Sequence, residues 1–358
     1  MHRICFLSVL FLAVLLLSGC HTELPAVQNI NKDIAASQST TPAAIEIVLS
    51  HSRSIGSPED RAACAMRDKL QELLGEQAEV MRYADYQLGS AQEQLEAVQL
   101  GRVHITIQPV SAVSGYADDL KVFALPYLFS ANEKEVIDVL DGPLAQEALD
   151  RIGMEQGEPT FKGLGLWFGG YKLFTFHGDE NKHIHSPADF QGLTIATPDT
   201  PLLKAQYQHW GAEPIPIDAI ALYSTLAQHI ADGSEATVSQ IAESYLYEVQ
   251  HNIVQAYHSA EIYTVVVNRQ WYEAQPADVQ NAIIEAEAYG KEQLYQALDE
   301  QEAAYIDIIR QVEGMRYEEL DENEIKYFKA STEPIYTEQL AGSPWQMDYV
   351  KRIQKCFT

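Results

Sequence analysis

Residues 161–176 read FKGLGLWFGGYKLFTF, an extended run of apolar and aromatic residues. It separates two stretches of chain built in the same way. Upstream, Ile45–Leu49 reads as a strand and Pro58–Leu74 as a helix with Ala62, Met66, Leu70 and Leu73 on one face; Glu79–Tyr83 is the next strand, Ala91–Leu100 the next helix and Val103–Ile107 a third strand. Downstream the order repeats: Leu193–Ala196 strand, Pro201–Trp210 helix, Glu213–Ile217 strand, Asp218–Ala231 helix, Ala236–Ser239 strand. Strands alternating with helices predict right-handed crossovers and parallel sheets. The chain therefore holds two α/β units, with 161–176 placed to cross between them and Tyr263–Asn268 to cross back. From Pro276 to Val312 the pattern is one long helix, with Val279, Ile283, Ala286 and Leu294 among its apolar positions. At 1.5 Å per residue such a helix extends about 54 Å, longer than one small lobe, so it is expected to brace both.

The N-terminus reads as an export leader. One basic residue, Arg3, precedes the apolar run Ile4–Leu17, which falls short of the ~20 residues a spanning helix needs and is followed by small residues. The junction Leu17-Ser18-Gly19-Cys20 resembles the bacterial lipobox, which implies cleavage after residue 19 and acylation of Cys20 as a membrane anchor. His21–Pro42 is polar and without period, as in a flexible tether. Lys and Arg number 24 against 51 Asp and Glu, a net charge of −27, which repels nucleic acid and anionic headgroups. Of the four cysteines only Cys64 and Cys356 remain in the body; export permits them to pair, and the sequence leaves pairing and two free thiols equally open.

A series of short motifs then acquires meaning from its order. Tyr86-Gln87-Leu88-Gly89, Leu100-Gly101 with His104-Ile105-Thr106, Leu125-Pro126-Tyr127-Leu128-Phe129, Ser186-Pro187-Ala188-Asp189-Phe190-Gln191-Gly192-Leu193, and Pro214 through Tyr223 to Asp232-Gly233 follow one another at the spacing seen in one family. The chain resembles the DctP-like solute-binding subunits of tripartite ATP-independent periplasmic (TRAP) transporters over nearly all of 45–340. The resemblance implies an α/β, bilobal periplasmic-binding-protein-like (type II) fold, with crossing strands and a bracing helix, that closes by hinge motion. It implies a monomeric periplasmic receptor, not an enzyme, with no cofactor, that captures a small organic ligand. Delivery would be to a small and a large integral-membrane permease subunit. The expected division is 1–19 leader, 20–42 lipidated cysteine and tether, 43–167 with about 262–290 the first lobe, 168–261 with about 291–340 the second lobe and bracing helix, and 341–358 a tail.

Three departures bear on the ligand. Where the family carries a carboxylate-clamping arginine before a proline, this chain has Ala196. A second common arginine is replaced by Lys172, which keeps the charge without the bidentate fork. Ala236 stands where the family often has an amide. Losing such charge-assisted contacts, worth about 1.5–3 kcal/mol each, makes a simple C4-dicarboxylate a poor fit. Arg53 in the loop after the first strand is a substitute charge, and Tyr116, Trp167, Phe168, Tyr171 and Tyr245 suit a larger or partly apolar ligand. The expected ligand is carboxylate-bearing or partly apolar, with an apolar or neutral compound the alternative.

Enzymatic readings lack their motifs: there is no Gly-x-Ser-x-Gly elbow and no P-loop, and Gly163-Leu164-Gly165 is too short for a dinucleotide fingerprint. An exported hydrolase or a structural lipoprotein are the readings from other classes. His183-Ile184-His185 puts two imidazoles on one side of an extended segment, but no carboxylate or third histidine sits nearby at ligand spacing except Asp179 and Glu180, so no metal site is expected.

Overall fold

Period-two alternation decides which way each strand faces. Ile47 and Leu49 point to one side of the first strand and Val48 to the other; Val265 and Val267 oppose Val266 in the same way. In the computed structural model, which describes residues 44–152, 160–178 and 183–357, these alternations build two sheet segments. The leader, Cys20, the tether, Asp179 and Glu180 lie outside the described residues.

The first segment runs β2 (Ala78–Tyr83), β1 (Ile45–His51), β3 (Ile105–Pro109), β9 (Ala260–Asn268) and β4 (Phe161–Phe176). Its first three strands are parallel; β9 lies antiparallel to both β3 and β4. One face buries Ile47, Leu49, Ile105 and Trp167 against helix α1 (Pro58–Leu74), through Ala62, Met66 and Leu70. Leu73, expected on that face, is partly exposed and Leu74 is buried instead. The other face buries Val48, Leu166, Phe168 and Val266 beneath helix α2 (Ala91–Gln99), the pair Glu133–Leu140 and Pro143–Arg151, and the C-terminal helix Pro344–Gln354.

The second segment is built on the far end of the same strand. Residues 172–176 of β4 pair with β7 (Gly233–Thr237) on one side and β8 (Asn252–Gln255) on the other; β5 (Thr194–Thr197) and β6 (Glu213–Pro216) extend it past β7, and β10 (Arg316–Glu319) pairs with β8. Phe174 and Phe176 pack with Phe190, Tyr207, Trp210 and Phe328 on one face, where helix α3 (Pro201–His209) lies. Leu173, Ala196 and Ala236 face Leu226, Ile241 of helix α4 (Val238–Glu243) and Ile309 on the other.

Between the segments, β4 changes partner across an irregularity at Phe168–Tyr171. Gly170 sits there at φ +96°, a conformation that glycine adopts at little cost. Helix α5 (Ala277–Arg310) spans 34 residues, two short of the expected end. Val279, Ile283, Ala286 and Leu294 enter the first core and Ile309 enters the second, so one rigid element serves both. The described residues from Ala44 onward cluster as a single unit. Both remaining thiols are free, Cys356 at the surface and Cys64 half-buried.

Strand β7 begins earlier than the apolar pattern suggested, at Gly233 of the Asp-Gly motif. A Cβ at this position would lie 2.3 Å from the carbonyl oxygen of Thr175 and 2.5 Å from the Phe176 ring. Backbone cannot yield as a side-chain tip can. Gly233→Ala is therefore expected to cost about 1–3 kcal/mol, read from denaturant unfolding of the protein. An unchanged midpoint would mean that β4 and β7 part more easily than this register implies.

Candidate functional site

At the junction of the two sheet segments the chain buries charge. Lys172, in β4 just past the partner change, is only 8% exposed. Its Nζ lies 3.1 Å from Oε1 of Glu235 on β7 and 3.4 Å from Oε2 of Glu261 at the start of β9. The second oxygen of Glu235 accepts a hydrogen bond from Tyr207 Oη at 2.7 Å and faces His258 Nε2 at 3.0 Å. The His258 ring lies flat against Phe174, with centroids 3.8 Å apart. Burial alone would raise the Glu235 carboxyl, but the Lys172 ammonium, then His258 and Tyr207, hold it below the usual carboxylate range. The Glu261 carboxyl, also buried, is shifted upward by desolvation in spite of Lys172. Burial lowers His258, which favours a neutral imidazole.

A second cluster links the two halves. Arg53, in the loop after β1, reaches Glu243 at the end of α4 at 3.2 Å, and its Nε lies 3.6 Å from Glu59 in the first turn of α1. Glu59 is fully buried, and neither of its oxygens accepts a hydrogen bond. Tyr305 of α5 donates to Glu243 at 3.2 Å. Desolvation pushes the Glu243 carboxyl up to about 7; Arg53 opposes the shift and Glu59 reinforces it. Beside this cluster a pocket is lined by Pro58, Glu133, Phe168–Tyr171, Thr237–Ser239 and the α5 residues Leu298, Gln301, Glu302 and Tyr305. Elements of both halves thus meet around one recess.

Of the residues singled out from the sequence, Lys172, Arg53, Phe168 and Tyr171 come to this seam. Tyr171 stacks edge-on with Phe168 and Tyr257, and its Oη donates to the Ser130 carbonyl. Trp167 is elsewhere: alternation turns it into the first core, where Nε1 donates to Glu287 of α5 at 2.6 Å. Tyr116 packs edge-on against Phe161, at the end of β4 away from the partner change. Tyr245 is 57% exposed beside Tyr247, with its backbone left-handed at φ 55°. Ala196 and Ala236 point into the apolar cluster beneath α4. The polar role at β7 passes to Glu235, one residue earlier, because adjacent strand residues face opposite sides.

Sequence reasoning missed Glu59, Glu235, Glu243, Glu261, Tyr207 and His258. A signal existed for two of them. Glu235 and Glu261 interrupt strands that are otherwise uncharged, and a carboxylate buried in a sheet needs a partner.

Two α/β halves on a shared crossing strand, braced by one helix and flanking a recess of mixed polar and apolar lining, define the class of two-lobed solute-binding proteins. The profile described as "Bacterial extracellular solute-binding protein, family 7" (DctP) matches residues 49–343, and the chain belongs to that family. It is 25% identical over 296 residues to the C4-dicarboxylate-binding periplasmic protein DctP of Rhodobacter capsulatus, covering 82% of this chain and 86% of that one. A TRAP periplasmic solute-binding protein of Shewanella oneidensis with bound succinate superposes with TM-score 0.81 at 23% identity, covering 88% of this chain and 100% of that chain. One from Desulfovibrio salexigens with bound orotic acid gives 0.80 at 21% identity, covering 87% and 98%. The matched relatives are receptors, not enzymes. Among the described residues no helix is long and apolar enough to cross a membrane.

Proposed function

We propose that this chain is a lipid-anchored extracytoplasmic receptor that closes its two lobes over a small organic ligand and hands it to the small and large subunits of a TRAP permease. The lobes are 43–167 with about 262–290 and 168–261 with about 291–340, the anchor is acylated Cys20, and the receptor acts as a monomer. The observation that carries the reading is the seam: residues of α1, α4, α5 and the β4 crossing line one recess where the shared strand changes sheets, and Arg53 of the loop after β1 pairs with Glu243 of α4 beside it.

Charge accounting narrows the ligand. The family position for a clamping arginine is Ala196, Lys172 is held by Glu235 and Glu261, and Arg53 by Glu59 and Glu243. A ligand carboxylate would have to displace one of these internal acids. The reading favours a small organic acid with an apolar body, or a neutral partly apolar compound, seated on Phe168 and Tyr171, over a simple dicarboxylate. Mass spectrometry of the ligand extracted from purified protein, followed by calorimetry, tests this. One equivalent of such a compound, with saturable thermal stabilisation and no turnover, is the expected result. Succinate or malate as the sole ligands at submicromolar affinity would overturn the ligand class, and product formation would overturn the receptor.

A further inference from the structure

Among the described residues, the fold brings a carboxylate from β10 to the His183-Ile184-His185 segment. We propose that His183, His185 and Glu318 form a binding site for a divalent zinc-class metal ion on the outer edge of the second sheet segment. One ligating atom from each of the three lies within 4.8 Å of the others. The His183 and His185 rings run nearly parallel, 17° apart in plane with centroids at 5.6 Å, and His183 Nδ1 is 3.6 Å from Glu318 Oε1. Two imidazoles and one carboxylate are the ligand set with which zinc leaves a fourth position for water.

The surroundings hold these ligands in place. Glu324 Oε1 lies 2.6 Å from His185 Nδ1, while its other oxygen accepts the Asp321 backbone N–H in the capping box of helix Glu322–Ser331. A carboxylate accepting from Nδ1–H leaves the Nε2 lone pair for a metal and orients the ring. The backbone of His185 and Ser186 donates to Asp189 Oδ2 at 3.0 and 2.7 Å, which anchors the end of the segment. Glu318 stands on β10, and its Oε2 is buried with no hydrogen-bond partner. Arg316, with Nε 3.7 Å from Glu318 Oε1, is the cation a metal would compete with. Both histidines are about half exposed, so an ion has access from solvent. A bound ion would tie the β10 edge to the chain leading into β5, outside the interlobe recess.

The test uses the tag-free mature protein, stripped with chelator and titrated with zinc or cobalt. Expected are one equivalent bound, a rise in unfolding temperature reversed by chelator, and the visible bands of tetrahedral cobalt. Glu324→Gln is expected to weaken binding about tenfold and to leave the stoichiometry intact, as loss of an outer partner does. His183→Ala, His185→Ala and Glu318→Gln should each weaken it further. Both histidines are about half exposed, so their metal-free alanine variants should unfold close to the wild-type temperature, which separates loss of the site from loss of the fold. Absence of saturable binding, or binding undiminished in the double variant His183→Ala/His185→Ala, overturns the proposal without touching the receptor reading.

Discussion

Lys172→Met is expected to destabilise the protein by about 3–5 kcal/mol, because it strips the cation from two buried carboxylates and leaves them uncompensated. Glu235 and Glu261 approach the same ammonium at 3.1 and 3.4 Å, so without it they repel each other in a medium that screens poorly. The loss belongs to the charge and not to the stem, since methionine keeps most of the apolar length. A double variant, Lys172→Met with Glu235→Gln, should recover much of it, because the glutamine still accepts from Tyr207 and no longer needs a counter-ion. Denaturant unfolding of the two single variants and the double measures this coupling directly. A cost below about 1 kcal/mol, the range of an exposed pair, would show that water reaches the junction.

The same network carries an acid limb. Glu235 titrates below the ordinary carboxylate value in the folded chain, so its contribution is present above the unfolded value and is lost as pH falls. His258 acts in the same direction. Its folded value is lowered, so the unfolded chain binds the extra proton and stability drops below the ordinary imidazole range.

Glu243→Gln is expected to change the opposite limb. The carboxyl is raised from 4.5 to about 7, so its favourable contribution is complete below 4.5 and is lost as pH rises through 7. Relative to wild type, the variant should gain up to about 3 kcal/mol of stability between pH 4.5 and 8, because glutamine has no proton to lose. The Tyr305 hydrogen bond survives the exchange, whereas the ion pair to Arg53 does not; comparing the two proteins across pH, and not at one pH, separates these effects. A stability difference that stays flat from acid to alkaline pH would mean that Glu243 titrates normally. The pair also joins the loop after β1 to α4, so its charge state alters what holds the two halves together.

The family was legible because its signals are local. Proline, glycine and aromatic residues at set spacing around Leu125–Phe129, Ser186–Leu193 and Asp232-Gly233 mark turns and strand entries, and the crossing strand at 161–176 and helix α1 fall where the pattern puts them. Antiparallel β9, the β8–β10 pair and the terminal helices were not legible. Apolar runs state that a strand is buried without stating which neighbour covers it.

The candidate site residues divide along the same line. Lys172 and Arg53 stand out in sequence as charges in a cleft-forming chain. Their neutralisation by Glu235, Glu261, Glu59 and Glu243 depends on strands and helices that are distant along the chain. His183 and His185 announce themselves as a pair, but Glu318 joins them only because β10 docks on β8. Periodicity and turn chemistry act over a few residues, and so the amino-acid order settles the elements and the family. Charge pairing acts through space at 3–4 Å, and only the packed chain decides which groups come that close.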